Sequence, residues 1–254
     1  MTRRVVLVGQ GIGYSASPAV HNAAFAALDL DWRYELRDVG VGELDAVVAE
    51  LRDGTLAGAN VTQPHKQVLA SLLDERSPDA ERTAAVNTVV RGNGTLVGLN
   101  TDLSALAAEL AELGPIRAAV ILGRGGAARA ASAALTDAGA SAELVGRDRW
   151  AALPALLAEA DLLVNATPIG TGQDVSPVAA GLLRAGLAVL DLVYRPSPTR
   201  LVREARAVGA VARGGAGMLL RQAALSFTAW TDADAPFDVM RQALRAELGP
   251  ATDA

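Results

Sequence analysis

The most direct indication of the fold is the segment Ala118-Ala119-Val120-Ile121-Leu122-Gly123-Arg124-Gly125-Gly126-Ala127. Its first five residues form a continuous apolar run, which is typical of a strand covered on both faces in a parallel sheet. The glycines that follow allow a tight turn, and the alanine-rich residues 127–138 predict a helix. A strand, a glycine turn and a helix in this order predict a parallel α/β sheet.

Apolar runs and helical patterns alternate on both sides of this segment. The remaining predicted strands are 5–8, 32–39, 56–61, 86–91, 96–99, 143–145, 162–165 and 188–191. The remaining predicted helices are 18–28, 42–51, 102–113, 218–230 and 237–248. Gly92-Asn93-Gly94 predicts a hairpin between the fourth and fifth of those strands, because Asn-Gly favours a two-residue turn.

We predict an α/β fold with two α/β domains. An N-terminal domain covers 1–102, and a doubly wound, Rossmann-type domain covers 103–217. The C-terminal helices, within 218–254, are expected to return to the first domain.

Two predicted helix starts carry polar residues. Pro18 at the first helical position predicts that Ser17 is the N-cap of its helix, since a seryl oxygen accepts from free backbone N–H groups. Pro64 is expected to open a short helix that carries His65 and Lys66 in its first turn.

The composition limits the function classes. With 51% hydrophobic and 20% charged residues in 254, the chain can bury a core, and its net charge of −5 argues against nucleic-acid binding. The absence of cysteine excludes thiolate chemistry, and two histidines cannot build a histidine-rich metal site, so no metal is expected. There is no apolar run long enough for a membrane helix or a signal peptide, so no membrane association is expected and a cytoplasmic location is predicted.

The glycine turn and the end of the next strand predict a dinucleotide site. Glycines between a strand and a helix let a pyrophosphate approach backbone N–H groups, although the same turn also occurs without a ligand. Dinucleotide folds read the ribose at the end of the second strand, where this chain has Gly146 and then Arg147-Asp148-Arg149. Two arginines favour the 2′-phosphate of NADP. NAD stays possible through Asp148, and a solvated charged loop is the alternative without a ligand.

One cation stands out by its type. Of the 23 cationic side chains, 22 are arginine and one is lysine, Lys66. An ammonium group can release a proton to a reacting atom, whereas a guanidinium stabilises charge without readily doing so. Lys66 is therefore a candidate proton donor, beside the alternative of an ordinary solvated lysine.

Several short motifs follow one another along the chain. In order they are Ser15-Ala16-Ser17-Pro18, Asn60-Val61-Thr62-Gln63-Pro64-His65-Lys66, Ala85-Val86-Asn87-Thr88, Asn100-Thr101-Asp102, Asn165-Ala166-Thr167-Pro168, Asp191-Leu192-Val193-Tyr194 and Gly217-Met218-Leu219-Leu220-Arg221-Gln222. Together they resemble the shikimate dehydrogenase family over almost the whole chain. The resemblance implies NADP-linked reduction of 3-dehydroshikimate to shikimate on the route to aromatic amino acids. It implies a substrate-binding first domain and a small-molecule partner, with a monomer or a homodimer both open.

The resemblance also implies the roles of individual residues. Lys66 and Asp102 would form the catalytic pair, and Ser15 and Ser17, with help from Tyr194, would hold the substrate carboxylate. The residues that contact ring hydroxyls or order the site would be Asn60, Thr62, Asn87 and Gln222. The cofactor-binding residues would be Gly123, Arg124, Gly125, Gly126, Ala127, Arg147, Arg149, Asn165, Thr167 and Gly215.

The chain departs from the family pattern at several positions, and two other functions stay open. Gly146 and Asp148 stand where Asn and Thr are usual beside the phosphate-binding arginine, and Arg124 occupies a small-residue position. One alternative is a quinate or aminoshikimate dehydrogenase that uses NAD. The other is a relative that binds NADP or a metabolite for regulation without turnover.

Overall fold

The structure is a computed structural model that describes residues 2–92 and 94–252. The chain divides into two units. The first contains Met1–Asp102 and Leu220–Glu247, and the second contains Leu103–Leu219 and Leu248–Ala254.

The first unit is built on a six-stranded mixed sheet. Its strands are β1 (Arg3–Gly9), β2 (Trp32–Asp38), β3 (Gly58–Val61), β4 (Glu75–Arg76), β5 (Thr88–Gly92) and β6 (Thr95–Leu99). They lie in the order β2-β1-β3-β5-β6-β4, with β2, β1 and β3 mutually parallel. The valines of β1 are buried, as its apolar run predicts.

β5 and β6 pair antiparallel, which confirms the predicted hairpin. Asn93 of its predicted turn lies outside the described residues. β5 also pairs antiparallel with β3, so Asn60 lies opposite Thr88 in the register. This pairing brings the two asparagine-containing motifs, around Asn60 and Asn87, together.

The first unit contains the helices α1 (Ser17–Ala27), α2 (Leu44–Asp53), α3 (Lys66–Ala70) and α4 (Pro78–Thr83). Helix α5 (Thr101–Ala111) begins at the end of this unit and continues into the second. Gly54 ends α2 with a φ of 87°, a left-handed conformation that glycine adopts without strain.

Both predicted helix starts are shifted. The N-cap of α1 is Ala16, whose carbonyl accepts from the Val20 N–H at 3.2 Å, so Ser17 is the first helical residue and its own N–H donates to Ser15 Oγ at 3.2 Å. The helix expected to open at Pro64 begins at Lys66, with His65 as its N-cap. Proline has no N–H to donate, so the preceding turn is held instead by the His65 N–H, which donates to the Thr62 carbonyl at 2.9 Å.

The second unit contains a five-stranded parallel sheet. Its strands are β7 (Ala118–Leu122), β8 (Ser141–Val145), β9 (Leu162–Asn165), β10 (Ala188–Asp191) and β11 (Ala212–Arg213), with helices α6 (Gly126–Asp137), α7 (Leu153–Glu159) and α8 (Arg200–Ala207). The order is β11-β10-β9-β7-β8. The chain therefore reverses direction across the sheet beside β7, at the kind of switch point where doubly wound sheets bind ligands.

Two long helices end the fold, α9 (Ala216–Thr231) and α10 (Phe237–Leu248). From Leu220 onward, α9 belongs to the first unit, where Phe227 packs on Phe25 of α1 with ring centroids 5.3 Å apart. Trp230 contacts His21 of α1 at the same distance. The predicted fold class, with two α/β domains and C-terminal helices that return to the first, is confirmed. No helix within residues 2–92 and 94–252 is long and apolar enough to span a bilayer.

Candidate active site

The first unit contains a nearly buried ion pair. Lys66 Nζ lies 2.5 Å from Asp102 Oδ2, and the two side chains are 14% and 6% exposed. Lys66 is the first residue of α3, and Asp102 lies in the first turn of α5. An ion pair with this little access to water keeps its geometry, because neither side chain gains much solvation by swinging away.

The segment before Lys66 is anchored through His65. The buried His65 ring places Nε2 2.7 Å from the Val39 carbonyl oxygen. The Thr62 N–H donates to the Val8 carbonyl at 2.8 Å, and the Lys66 carbonyl accepts from the Val86 N–H at 3.0 Å. His65 thus has a structural role, which is to fix the turn that presents Lys66.

Asn87 orders the carboxylate. Its Nδ2 donates to Asp102 Oδ1 and to Thr101 Oγ1, both at 2.8 Å, and its Oδ1 accepts from the Thr101 N–H. One carboxylate oxygen of Asp102 therefore faces Lys66 while the other is held by an amide. This arrangement fixes the direction of the Lys66 ammonium group.

Asn60 extends the same buried network. Its Nδ2 donates to the Asn87 carbonyl, Thr88 Oγ1 and Ser226 Oγ, each at 3.0 Å, and its Oδ1 accepts from the Tyr34 hydroxyl at 2.8 Å. Every polar atom of its side chain is engaged within the protein. Its geometry therefore suits ordering the site rather than direct contact with a ligand.

Tyr34, Thr88, Thr101 and Ser226 were absent from the predicted site. Thr88 and Thr101 stand next to predicted residues, so the motifs themselves contained a signal for them. Ser226 lies on α9, one turn after Gln222, and bonds Thr88 Oγ1 at 2.7 Å across 138 positions of sequence. No local pattern marks Ser226 or Tyr34.

The other predicted substrate residues are placed in different elements. Ser15 and Ser17 lie on either side of Ala16 at the start of α1, and Ser17 is buried. Thr62 follows β3, and Gln222 is buried on α9. Tyr194 lies in the second unit, after β10. Their contact with a substrate stays a prediction.

His21 has no polar role. It is fully buried and stacks on Tyr34 with ring centroids 4.4 Å apart. Burial lowers the pKa of His21 to about 3, so the ring is neutral at ordinary pH. It supports the ring of Tyr34, whose hydroxyl binds Asn60.

In the second unit, the glycine turn joins β7 to α6 as predicted. Gly123 has a φ of 113°, and a Cβ there would lie 3.0 Å from the Ala166 carbonyl oxygen, so only glycine fits. Gly125 is the N-cap of α6 and Gly126 its first residue, so free N–H groups of the helix start at this turn. The predicted Ala127 follows inside the helix.

Three arginines lie near this turn. Arg124 pairs with Asp148, with Nη1 3.1 Å from Oδ1, and Arg149 pairs with Glu143 at 2.7 Å. Arg147 is exposed. The cluster keeps an excess of positive charge, as a site for a phosphate requires.

The ends of β9 and β10 share a buried polar network. Asn165 donates through Nδ2 to Asp191 Oδ1 at 2.8 Å, and its Oδ1 accepts from the Thr167 N–H and hydroxyl. Asp191 also accepts from Thr199 Oγ1 at 2.7 Å and from the Val193 N–H at 3.0 Å. Asn165 and Thr167 therefore shape the loop after β9. Glycine is also required at position 215 for a structural reason, since a Cβ on Gly215 would collide with the Leu192 carbonyl oxygen.

Asp191 makes the stability of the protein depend on pH. Burial raises the pKa of Asp191 to about 6, against the three hydrogen bonds that lower it. The folded state therefore holds this proton up to a higher pH than the unfolded chain. The stabilising effect of protonation is complete below about pH 4 and is lost as the pH rises through 6, which amounts to about 3 kcal/mol.

We expect Asp191→Asn to remove this dependence. Urea unfolding of the wild type and the variant at about pH 4.5 and about pH 7.5, on either side of the raised pKa, measures it. The wild type should lose more stability than the variant between the two values, because the amide does not ionise. A difference in the free energy of unfolding that is the same at both pH values would contradict this prediction.

Within the described ranges, no group of three or more His, Cys, Asp or Glu side chains could hold a metal ion. The fold and its two sets of polar residues instead define a class: dehydrogenases with an α/β unit that carries a proton-transfer pair and a parallel α/β unit with a dinucleotide turn. The chain belongs to the shikimate dehydrogenase family. Residues 7–89 match the family model "Shikimate dehydrogenase substrate binding domain", and residues 215–245 match "Shikimate 5'-dehydrogenase C-terminal domain".

Individual relatives agree with this assignment. The shikimate dehydrogenase (NADP(+)) of Symbiobacterium thermophilum is 39% identical, over 95% of this chain and 93% of its own. The Thermus thermophilus shikimate 5-dehydrogenase, solved with NADP(H) and shikimate, is 36% identical with a TM-score of 0.88, over 97% of this chain and all (100%) of its own. The Listeria monocytogenes shikimate 5-dehydrogenase, solved with shikimate and NAD, is 34% identical with a TM-score of 0.79, over 96% of each chain.

Proposed function

We propose that the chain catalyses the reversible, NADP-dependent reduction of 3-dehydroshikimate to shikimate. The observation that carries the proposal is the Lys66–Asp102 pair, 2.5 Å apart, with the second carboxylate oxygen held by Asn87. A ketone reduction needs such an arrangement to deliver a proton to the carbonyl oxygen of the substrate. Family membership supports the substrate class and its place on the route to aromatic amino acids.

The second unit fits NADP. Gly123 and Gly215 stand where a Cβ would strike backbone oxygens, α6 offers its N-terminus at the turn, and arginines gather at the end of β8. We infer that Gly123, Gly125, Gly126 and Ala127 bind the pyrophosphate and that the arginines hold the 2′-phosphate. Bound NADPH supplies the hydride for the reduction.

Lys66 acts as the general acid in the direction of reduction. Its Nζ donates a proton to the carbonyl oxygen of the substrate as negative charge develops there, and in the reverse direction Nζ accepts the proton of the substrate hydroxyl. Asp102 holds the ammonium group toward the substrate, and the positive charge of Lys66 stabilises the developing alkoxide. Asn87 prevents the carboxylate from rotating.

The remaining side chains provide recognition. We propose that Ser15 and Ser17, with Tyr194, bind the substrate carboxylate, and that Thr62 and Gln222 bond ring hydroxyls. Hydroxyl and amide groups suit a polyol, because each substrate hydroxyl both donates and accepts. We therefore propose a small molecule as the partner, and the absence of a nucleic-acid or membrane partner stays a prediction. A monomer or homodimer and a cytoplasmic location stay predictions.

A comparison of two cofactors and two substrates tests the proposal. We expect kcat/KM with shikimate and NADP to exceed that of every other combination of shikimate or quinate with NADP or NAD by about tenfold or more. Arginines that bind a phosphate favour NADP over NAD, and side chains that hydrogen-bond the substrate hydroxyls favour one polyol over another. The Listeria complex with NAD and the acid at Asp148 favour NAD as the second candidate cofactor. A strong preference for NAD or for quinate would replace the proposed activity, and tight NADP binding without turnover would support a regulatory role.

A further inference from the structure

The Arg124 guanidinium lies beside the end of β8. Its Nη1 is 3.1 Å from Asp148 Oδ1, and its Nη2 donates to Asp148 Oδ2 at 3.1 Å. Two parallel bonds of this kind fix the plane of the guanidinium. We call Arg124, Asp148 and the intervening Gly146 the Arg124 clasp.

Gly146 is the part of the clasp that makes the pair possible. A Cβ on Gly146 would lie 2.4 Å from Asp148 Oδ1 and 2.7 Å from Arg124 Cζ. The backbone of Gly146, with φ −78° and ψ 168°, is extended and open to any residue. Glycine here leaves the space that a Cβ would occupy to the side chains of Arg124 and Asp148, and its own backbone conformation does not call for glycine.

This position is where a dinucleotide fold distinguishes its cofactors. An acid at the end of the second strand bonds the ribose 2′-hydroxyl of NAD, whereas a nearby arginine accommodates the 2′-phosphate of NADP. In this chain, the guanidinium fills the space into which a side chain at Gly146 would project. Asp148, the acid of this loop, already has both oxygens engaged by Arg124.

The clasp still has capacity for a phosphate. A guanidinium has five N–H donors, and the two bonds to Asp148 leave the others free to bind a second anion. Arg147 and Arg149 follow Gly146 in the same loop, where Arg149 pairs with Glu143, and Arg129 Nη1 donates to the Arg124 carbonyl oxygen at 3.1 Å. Together with the clasp they keep an excess of positive charge, which favours a dianionic phosphate over a neutral hydroxyl.

We propose that Arg124 determines the cofactor specificity of this chain by contacting the 2′-phosphate, and that Asp148 is a positioning residue that orients its guanidinium. The inference rests on the proposed NADP-dependent function. It assigns to a carboxylate in the cofactor loop the role of supporting phosphate binding, the opposite of the role that an acid has in NAD enzymes.

Calorimetric titration with adenosine 2′,5′-bisphosphate and with 5′-AMP tests this, because the two nucleotides differ in the 2′-phosphate and need no turnover. We expect Arg124→Gln to weaken bisphosphate binding about 10- to 100-fold while 5′-AMP binding changes less than about threefold, the loss typical of a bidentate charged contact. Asp148→Asn should weaken bisphosphate binding in the wild-type background but have little further effect in Arg124→Gln, since a positioning residue acts only through its partner.

The matched control is Arg203→Gln. Arg203 pairs with Asp174 in the same unit, and those side chains are 46% and 68% exposed against 54% and 61% for Arg124 and Asp148. This variant should bind both nucleotides as the wild type does. The inference is overturned if Arg124→Gln weakens both nucleotides equally or neither, or if Asp148→Asn tightens the bisphosphate.

The same variants separate this inference from the proposed function. If the wild type oxidises shikimate with NADP and Arg124→Gln keeps the full preference for the bisphosphate, the inference fails and the function stands. If the wild type does not oxidise shikimate but Arg124→Gln loses the preference for the bisphosphate, the role of the Arg124 clasp is supported and the proposed function fails.

Discussion

Replacing Lys66 by alanine is expected to lower kcat for shikimate oxidation by about 10²–10⁴-fold, the usual contribution of a positioned general acid or base. The amino group of Lys66 is the proton donor and acceptor in the proposed mechanism, and its partner Asp102 is held by Asn87 even without it. The KM for shikimate should change much less than kcat. Steady-state kinetics at saturating NADP measures both.

Lys66→Arg is the sharper variant. It keeps a positive charge opposite Asp102, but a guanidinium does not readily release a proton, so kcat should fall almost as far as in Lys66→Ala. Methylamine added to Lys66→Ala should restore part of the lost kcat, because it supplies an ammonium group in the space of the missing side chain. Activity like that of the wild type in either variant would remove Lys66 from the mechanism.

The composition of the chain offers an independent measurement. Lys66 is the one lysine among the 254 residues, so an amine-acylating reagent modifies it and the terminal amino group alone. With its side chain 14% exposed, Lys66 should react slowly, and shikimate should slow the reaction further by covering it. Peptide mass spectrometry follows both amines, and the terminal amine serves as the internal control.

The sequence predicted the parts of the site that depend on local pattern or on motif. The glycine turn between β7 and α6 was predictable because a strand, three glycines and a helix must adopt that geometry. The pairing of Lys66 with Asp102 followed from motifs that lie 36 positions apart. The predicted role of Lys66 in proton transfer depends on its being a lysine and not an arginine, and the sequence shows residue type directly.

Long-range hydrogen bonds were not predictable in this way. Ser226 meets Asn60 across 166 positions, and a serine in an apolar helix has no periodicity that marks its partner. The two-residue strands β4 and β11 are too short for any alternation to be visible. Ser17 is the first residue of α1 rather than its N-cap because the helix begins one residue before the predicted Pro18, and a boundary shift of one residue leaves no mark in the sequence pattern.

Trp230→Ala is expected to destabilise the protein by about 3–5 kcal/mol, as large-to-small changes of buried aromatic residues do. Trp230 is 8% exposed, and its Nε1 donates to the Val89 carbonyl at 3.0 Å. The indole fixes the end of α9 on β5, and the same helix carries Ser226 to the Asn60 network. We therefore expect a lower midpoint of urea unfolding together with a higher KM for shikimate.

Trp230→Phe separates the ring from the hydrogen bond. It keeps most of the buried aromatic area and loses the bond to Val89, so its cost should be nearer to about 1–2 kcal/mol, the value of one buried hydrogen bond with a small packing defect. A loss as large as in Trp230→Ala would assign the effect to the hydrogen bond rather than to burial.

Gly58 provides the matched test of the contact itself. A Cβ at Gly58 would lie 2.5 Å from Trp230 Nε1, so Gly58→Ala should destabilise the wild type through this collision. In the Trp230→Ala background the obstructing indole is gone and the added methyl enters the space it leaves. Gly58→Ala should then cost less, and a double-mutant cycle measures the difference. Equal costs in the two backgrounds would show that α9 is held on the first sheet by contacts other than the indole.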